Sequence, residues 1–114
     1  MTEETIFTKI INGDIPSKKL YEDDDCICIE DIAPQAPTHL LLIPRKPIAR
    51  LVDATAEDKA LLGRLMLNVG NIARQVGVDD AFRLIVNNGA NAGQTVFHLH
   101  LHILAGKPFQ EGMV

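Results

Sequence analysis

The sequence predicts an α+β domain of about five strands and two helices, with the strands clustered along the chain rather than alternating with helices. Three observations lead there. Two stretches carry apolar residues at helical spacing, one short and near the start, one long and central. Five other stretches read as strands, set apart by clusters of Pro, Gly, Asp and Asn. The length of 114 residues suits one compact domain, residues 1–114, and leaves little room for a second.

From Glu4 to Ile11, Ile6, Phe7, Ile10 and Ile11 share one face of a short helix, which Asn12-Gly13-Asp14 ends. Leu20–Glu22 and Cys26–Ile29 form a hairpin around the Asp23-Asp24-Asp25 turn, which reads as a solvated turn rather than a cation site. Pro34 and Pro37 make Asp31–Pro37 a loop. Thr38–Ile43 is a continuous apolar strand carrying His39 near its start, and Pro44 and Pro47 close it. Thr55 is the N-cap of the long helix, with Asp58 at capping-box spacing. Leu61, Leu62, Leu65, Met66, Val69, Ile72, Ala73 and Val76 form its apolar face, and Gly77 ends it after about 21 residues, roughly 30 Å. That face fits either a buried intrachain helix or a subunit contact. Phe82–Val86 is a further strand, Asn87–Gln94 a loop of glycines and asparagines, and Thr95–Leu104 the last strand. The tail from Ala105 to Val114 is irregular.

Composition narrows the function classes. The chain is 46% hydrophobic, so it can bury a core, although it has no Trp. Fifteen acidic against 11 basic residues give a net charge of -4, which argues against a nucleic-acid polymer or an anionic lipid surface as partner. A small nucleotide, held by a few local groups, remains compatible. Met1-Thr2-Glu3-Glu4-Thr5 is acidic with no long apolar run, so no secretory signal is expected, and no apolar stretch is long enough to span a membrane. Cys26 and Cys28 alternate on one strand, neither a disulfide framework nor a CxxC motif, and read as free thiols. A cytoplasmic location follows from these expectations.

His98, His100 and His102 alternate with Leu99 and Leu101, and Ile103 and Leu104 follow. A strand has a side-chain period of two, so the three imidazoles share one face and the leucines point into the core. Such a cluster can donate, accept or attack near neutral pH. Zinc is the first alternative, but His98 and His102 lie roughly 13 Å apart on an extended strand. One ion cannot gather all three, and the strand holds no Asp, Glu or Cys to complete a set with His39. No metal and no cofactor are therefore expected. A solvent-facing row on an edge strand explains three clustered imidazoles poorly. Acid–base or nucleophilic work on an anionic group explains them better, because the adjacent loop offers backbone N–H groups near Gly89 and Gly93. Asn87, Gln94 and Thr95 add neutral donors there. A histidine can attack phosphorus and form a covalent intermediate, and the central His100 is the best-flanked candidate.

This pattern resembles the histidine triad (HIT) family, whose motif is His-x-His-x-His followed by two apolar residues. Here it reads His98-Leu-His100-Leu-His102-Ile103-Leu104, led by Gly93-Gln94-Thr95-Val96-Phe97 and Val86-Asn87. The run Asp31-Ile32-Ala33-Pro34-Gln35-Ala36-Pro37-Thr38-His39 resembles the Hint branch, and the likeness spans roughly residues 4 to 106. The resemblance implies a HIT-like fold, an about five-stranded antiparallel sheet with two helices, extended across a homodimer in which the long helix and a strand pair about a two-fold axis. It implies a hydrolase of purine nucleoside 5'-phosphoramidates, of the AMP or GMP type, acting through a nucleotidyl-histidine intermediate. Another branch of the family cleaves dinucleoside polyphosphates, and a non-catalytic nucleotide-binding or scaffold role is the remaining alternative.

By the same resemblance His100 is the nucleophile, and His102 contacts the phosphate or assists the leaving group. His98 orients its neighbours with support from His39. Asn87, Thr95 and backbone N–H groups near Gly93 hold phosphate oxygens; Asp31 accepts from the ribose and Ile32 lines the base pocket. Two departures stand out. Animal Hint proteins end in Trp-Pro-Pro-Gly, where this chain ends Phe109-Gln110-Glu111-Gly112-Met113-Val114, and Pro47 replaces a histidine common after the His39 strand.

Overall fold

A computed structural model describes residues 4–111; Met1-Thr2-Glu3 and the Gly112-Met113-Val114 end of the divergent tail lie outside the described residues. The elements are α1 (Ile6–Ile11), β1 (Lys19–Glu22), β2 (Cys26–Glu30), β3 (Thr38–Pro44), α2 (Lys59–Gln75), β4 (Phe82–Ile85) and β5 (Leu101–Ala105). Single 3-10 turns lie at Leu51–Asp53, Ala56–Asp58 and Ala90–Ala92. The strands form one antiparallel sheet in the order β1-β2-β3-β5-β4. The α+β class and the five strands with two helices are as expected.

Alternation on the central strands builds a core on both faces of the sheet. Cys26, Cys28, Leu40, Leu42, Leu101 and Ile103 point to one side and pack with Leu65, Val69 and Ile72 of α2. Ile27, Ile29, Leu41 and Ile43 point to the other and meet Phe7 and Ile10 of α1. Burial on both faces is why β2 and β3 read as unbroken apolar runs rather than as alternating ones. The two thiols, both 0% exposed, are pushed up to about 12 chiefly by burial, so they are packing groups rather than nucleophiles.

Both helix starts follow from their caps. Thr5 Oγ1 accepts from Phe7 N and Thr8 N, while Thr8 Oγ1 accepts from Thr5 N at 2.7 Å. Thr55 and Asp58 form the expected box, with the Asp58 carboxylate accepting from Thr55 N at 2.9 Å. That box caps the 3-10 turn, so the helix proper is 17 residues, shorter than expected. Asp58 is also buried and ion-paired to Lys46, which ties the helix entrance to the chain after β3. Of the predicted apolar face, Leu65, Val69, Ile72 and Ala73 are buried, whereas Met66 is 57% exposed beside Leu67 at 72%.

Three further departures have local causes. The Asp23-Asp24-Asp25 turn is not merely solvated. Asp23 accepts from Asp25 N, Cys26 N, Tyr21 Oη and Asn68 Nδ2, and Arg64 pairs with Asp25. These bonds hold the Asp23 carboxyl down at about 2 against the burial that would raise it. The last strand is Leu101–Ala105 rather than Thr95–Leu104. Its ladder with β3 ends at Leu42↔Leu101 and its ladder with β4 at Ile85↔His102, so His98 to His100 run past the ends of both partners. Finally, β4 stops at Ile85, one residue short of expectation.

At the far end of β5, Gly106 has φ +94°, and a Cβ there would sit 2.8 Å from Pro37 Cβ. Gly106→Ala meets both the left-handed strain and the ring, in the loop that leads to His39. We expect a loss of about 2–4 kcal/mol, read from denaturant midpoints at unchanged slope.

Candidate active site

His39 and His102 come together because the β3–β5 ladder is antiparallel. His39 pairs with Leu104 and Leu41 with His102, so the two histidines are diagonal neighbours on the α1 side of the sheet. Their ring nitrogens, His39 Nε2 and His102 Nδ1, lie 2.9 Å apart. The proton between them can be assigned. Gln35 N–H donates to His39 Nδ1 at 3.0 Å, which makes Nδ1 an acceptor and leaves the His39 proton on Nε2. His39 therefore donates, His102 Nδ1 accepts, and the proton of His102 is on its Nε2.

Asp31 Oδ2 stands 3.4 Å from His39 Nε2, so Asp31, His39 and His102 bring ligand atoms within 4.8 Å of one another. Position alone would suit zinc, since Asp31 supplies the acid that the histidine segment lacks. The chemistry does not. A metal-bound imidazole donates its other N–H to an acceptor, whereas the other nitrogen of His39 faces a backbone donor. Asp31 Oδ1 meanwhile accepts from Ala33 N at 2.8 Å.

The alternation of His98, Leu99, His100 and Leu101 survives the loss of regular strand. Leu99 and Leu101 are buried beneath α2, while Phe7 of α1 lies edge-on to both His98 and His100, with ring centroids 6.2 and 4.9 Å away. The segment is anchored beyond the ladder. Leu99 N donates to Ile48 O at 2.7 Å, and His98 Nε2 donates to Pro44 O at 2.7 Å. His98 is thus joined to the backbone end of β3. It is not in contact with His39, as the resemblance had implied, because His39 sits on the ladder and His98 beyond it. The His98 carbonyl does orient a neighbour, accepting from His100 Nδ1–H at 2.7 Å. That bond leaves the lone pair of His100 on Nε2. The His100 and His102 rings lie 5.0 Å apart.

The glycine loop is held by Gln94, a residue whose type and place in the sequence suggest a ligand donor. Gln94 is 3% exposed. Its Oε1 accepts from Gly89 N, and its Nε2 donates to Ala49 O and Val96 O. It is a strut inside the loop and has no group free for a phosphate. The 3-10 turn Ala90–Ala92 runs into Gly93 at φ +94°, where the backbone lies against the Asn87 amide, 3.8 Å from the place a Cβ would take. Asn87 is half-buried and Thr95 exposed. The loop and the imidazoles are tied to the same short stretch, Gln94 to Ala49 and Leu99 to Ile48. Ile32 stands apart, 98% exposed.

Burial sets the electrostatics. It pushes His98 and His100 below the usual imidazole value, and it takes His102, next to His100 and His39, down to about 4. At neutral pH burial therefore favours the uncharged form of all three rings. The unfolded chain binds these protons at ordinary pH values and the folded chain does not, so stability falls as pH drops below about 6.5. His102 alone accounts for about 2 kcal/mol between pH 7 and pH 5. Urea melts at the two pH values should show that loss, and His102→Gln should remove most of its own share.

Two of these groups carried no sequence signal of their own. The Gln35 N–H is a backbone atom, and Phe7 looked like any core residue of a short amphipathic helix.

An antiparallel sheet covered on both faces, with alternating imidazoles leading into a central strand beside a glycine loop, defines a histidine-triad fold. The chain belongs to the HIT family: the HIT domain model matches residues 12–109. It is 58% identical over 109 residues to an uncharacterised HIT-like protein of Synechocystis sp., covering 96% of each chain. It is 47% identical over 109 residues to the purine nucleoside phosphoramidase of Escherichia coli, covering 95% of this chain and 92% of that protein. A HIT family hydrolase from Clostridium thermocellum superimposes with a TM-score of 0.93 at 37% identity, covering 100% of both chains. Among the described residues no helix is long and apolar enough to cross a membrane.

Proposed function

We propose that this protein is a purine nucleoside phosphoramidase, which cleaves the P–N bond of AMP- or GMP-type phosphoramidates through a nucleotidyl-His100 intermediate. The observation that carries this reading is the 2.7 Å bond from His100 Nδ1–H to the His98 carbonyl. With one nitrogen so occupied, the buried neutral ring has its lone pair at Nε2 for in-line attack on the α-phosphorus. The amine leaves with the bonding electron pair and is protonated as it goes. Water then attacks the phosphorus of the intermediate, and His100 leaves neutral as the monophosphate forms.

His102 Nε2–H, Asn87, Thr95 and the N–H groups near Gly93 are the donors assigned to phosphoryl oxygens. Asp31, beside His39, is assigned the ribose hydroxyls. The exposed Ile32 next to it is an apolar surface for a base to cover. A homodimer belongs to the same reading, and the exposed Met66 and Leu67 on α2 are compatible with it. So does a cytoplasmic location, with no metal or cofactor in the chemistry.

Turnover of an adenosine 5'-phosphoramidate, compared with that of a diadenosine polyphosphate, tests the substrate class. Faster P–N cleavage is expected; preference for the polyphosphate would move the protein to the other branch. A rapid acid quench followed by mass analysis should find the adenylyl group on His100. Nucleotide binding without either turnover would leave a non-catalytic module.

A further inference from the structure

We infer that the backbone N–H of Gln35 is a tautomer lock, which acts through His39 to hold His102 as a neutral imidazole with its proton on Nε2. The inference deepens the phosphoramidase reading and rests on it only for the identity of the group that receives the Nε2–H.

The chain of donors has a direction: Gln35 N–H to His39 Nδ1 at 3.0 Å, then His39 Nε2–H to His102 Nδ1 at 2.9 Å. Each imidazole accepts on Nδ1 and donates on Nε2, so each needs one proton and has no place for a second. Protonating His39 at Nδ1 would set two donors head to head across 3.0 Å. Protonating His102 at Nδ1 would do the same against His39 Nε2–H. Reversing the whole chain meets the same obstacle, because an amide N–H cannot accept.

The loop is built to aim that N–H. Asp31 Oδ1 takes Ala33 N at 2.8 Å, and Asp31 N bonds His39 O at 2.9 Å. Pro34 precedes the donor and Pro37 follows it, limiting the backbone on both sides.

The charged and titratable surroundings are few. Asp31 reaches His39 Nε2 from the loop at 3.4 Å, the only carboxylate among the described residues paired with this histidine couple. The segment before β5 contributes the buried His100 ring, 5.0 Å from His102. From α1, Phe7 faces this side of the sheet while Lys9 is exposed. Asp31 favours a positive pair and the lock opposes it.

The consequence is a division of labour. A neutral imidazole that gave up Nε2–H would become an imidazolate, so His102 serves as a fixed hydrogen-bond donor to phosphoryl oxygens. The departing amine then takes its proton from a donor other than His102. Gln35 is in this sense a positioning residue, and the working atom is in its backbone.

Two-bond 1H–15N spectra of the labelled, ligand-free protein test this directly. At pH 7, His39 and His102 should each show a protonated Nε2 and a bare Nδ1. A proton on His39 Nδ1 overturns the lock. Gln35→Pro deletes the N–H, and His39 should then populate the tautomer with its proton on Nδ1, which the parent lacks. Gln35→Ala keeps the N–H and should keep the parental tautomers; their loss there would place the effect in the side chain and overturn the inference. If Gln35→Pro does not fold, the parental and Gln35→Ala spectra followed from pH 8 to 5 decide the matter alone. These spectra need no substrate, so a wrong substrate class or a missing His100 adduct would refute the proposed function and leave the lock standing.

Discussion

Replacing His100 with alanine should lower kcat/KM for an adenosine phosphoramidate by about 10⁴-fold or more while AMP affinity changes less than about tenfold. The ring is held by one hydrogen bond to the His98 carbonyl and by Phe7 against its side. Neither contact helps to build the nucleotide site, so its removal takes away the attacking nitrogen and leaves the donors of the 87–95 loop and His102 in place. His100 lies beside a well-packed core at 7% exposure, and circular dichroism should confirm that the variant remains folded. Titration calorimetry with AMP, run beside steady-state kinetics, separates the two quantities. Turnover that survives the change would place the nucleophile elsewhere, and equal losses of binding and turnover would make His100 a ligand rather than an attacker.

Gln94→Ala should be costly in a different way. Its amide joins Gly89 N, Ala49 O and Val96 O inside the loop, and alanine would leave three backbone groups without that partner. A buried polar group left unpaired costs about 1–3 kcal/mol, so a loss of about 2–4 kcal/mol is expected after partial relaxation. Activity should fall with it, roughly 10- to 100-fold in kcat/KM, because Gly89 and Gly93 lose their fixed spacing to the segment that carries the triad. Denaturant melts and kinetics on the same preparation test both parts. A variant that keeps parental stability would show that the loop is held by its 3-10 turn alone.

Much of this was legible in local patterns. The end of α1 and the cap at Thr55 follow from chemistry within a few residues of each site. Gly13 and Gly77 end the two helices as read, with Asp14 N and Val78 N returning to Lys9 O and Ala73 O. The two-residue period that set His98, His100 and His102 against Leu99 and Leu101 held even where the strand did not.

The misreadings came where a residue's role is fixed by something distant in sequence. The period of two predicts a longer last strand because the alternation already runs through His98–His100 before Leu101, while a ladder needs partners, and β3 and β4 end at Pro44 and Ile85. Gln94 read as a ligand donor because an amide in a glycine loop suits that role; its actual partner Ala49 is 45 positions away. The family resemblance implies that His39 supports His98, but the antiparallel register sets it diagonally against His102.

The sequence by itself determined the α+β class, the elements, the shared face of the imidazoles and the likeness to the HIT family. All of these rest on period, capping and turn chemistry, which act over a few residues. Only the tertiary structure decided which nitrogen each histidine keeps free. A tautomer is set by the single atom placed opposite it, and those atoms, Gln35 N and the His98 and Pro44 carbonyls, belong to the backbone, where residue identity says nothing of direction.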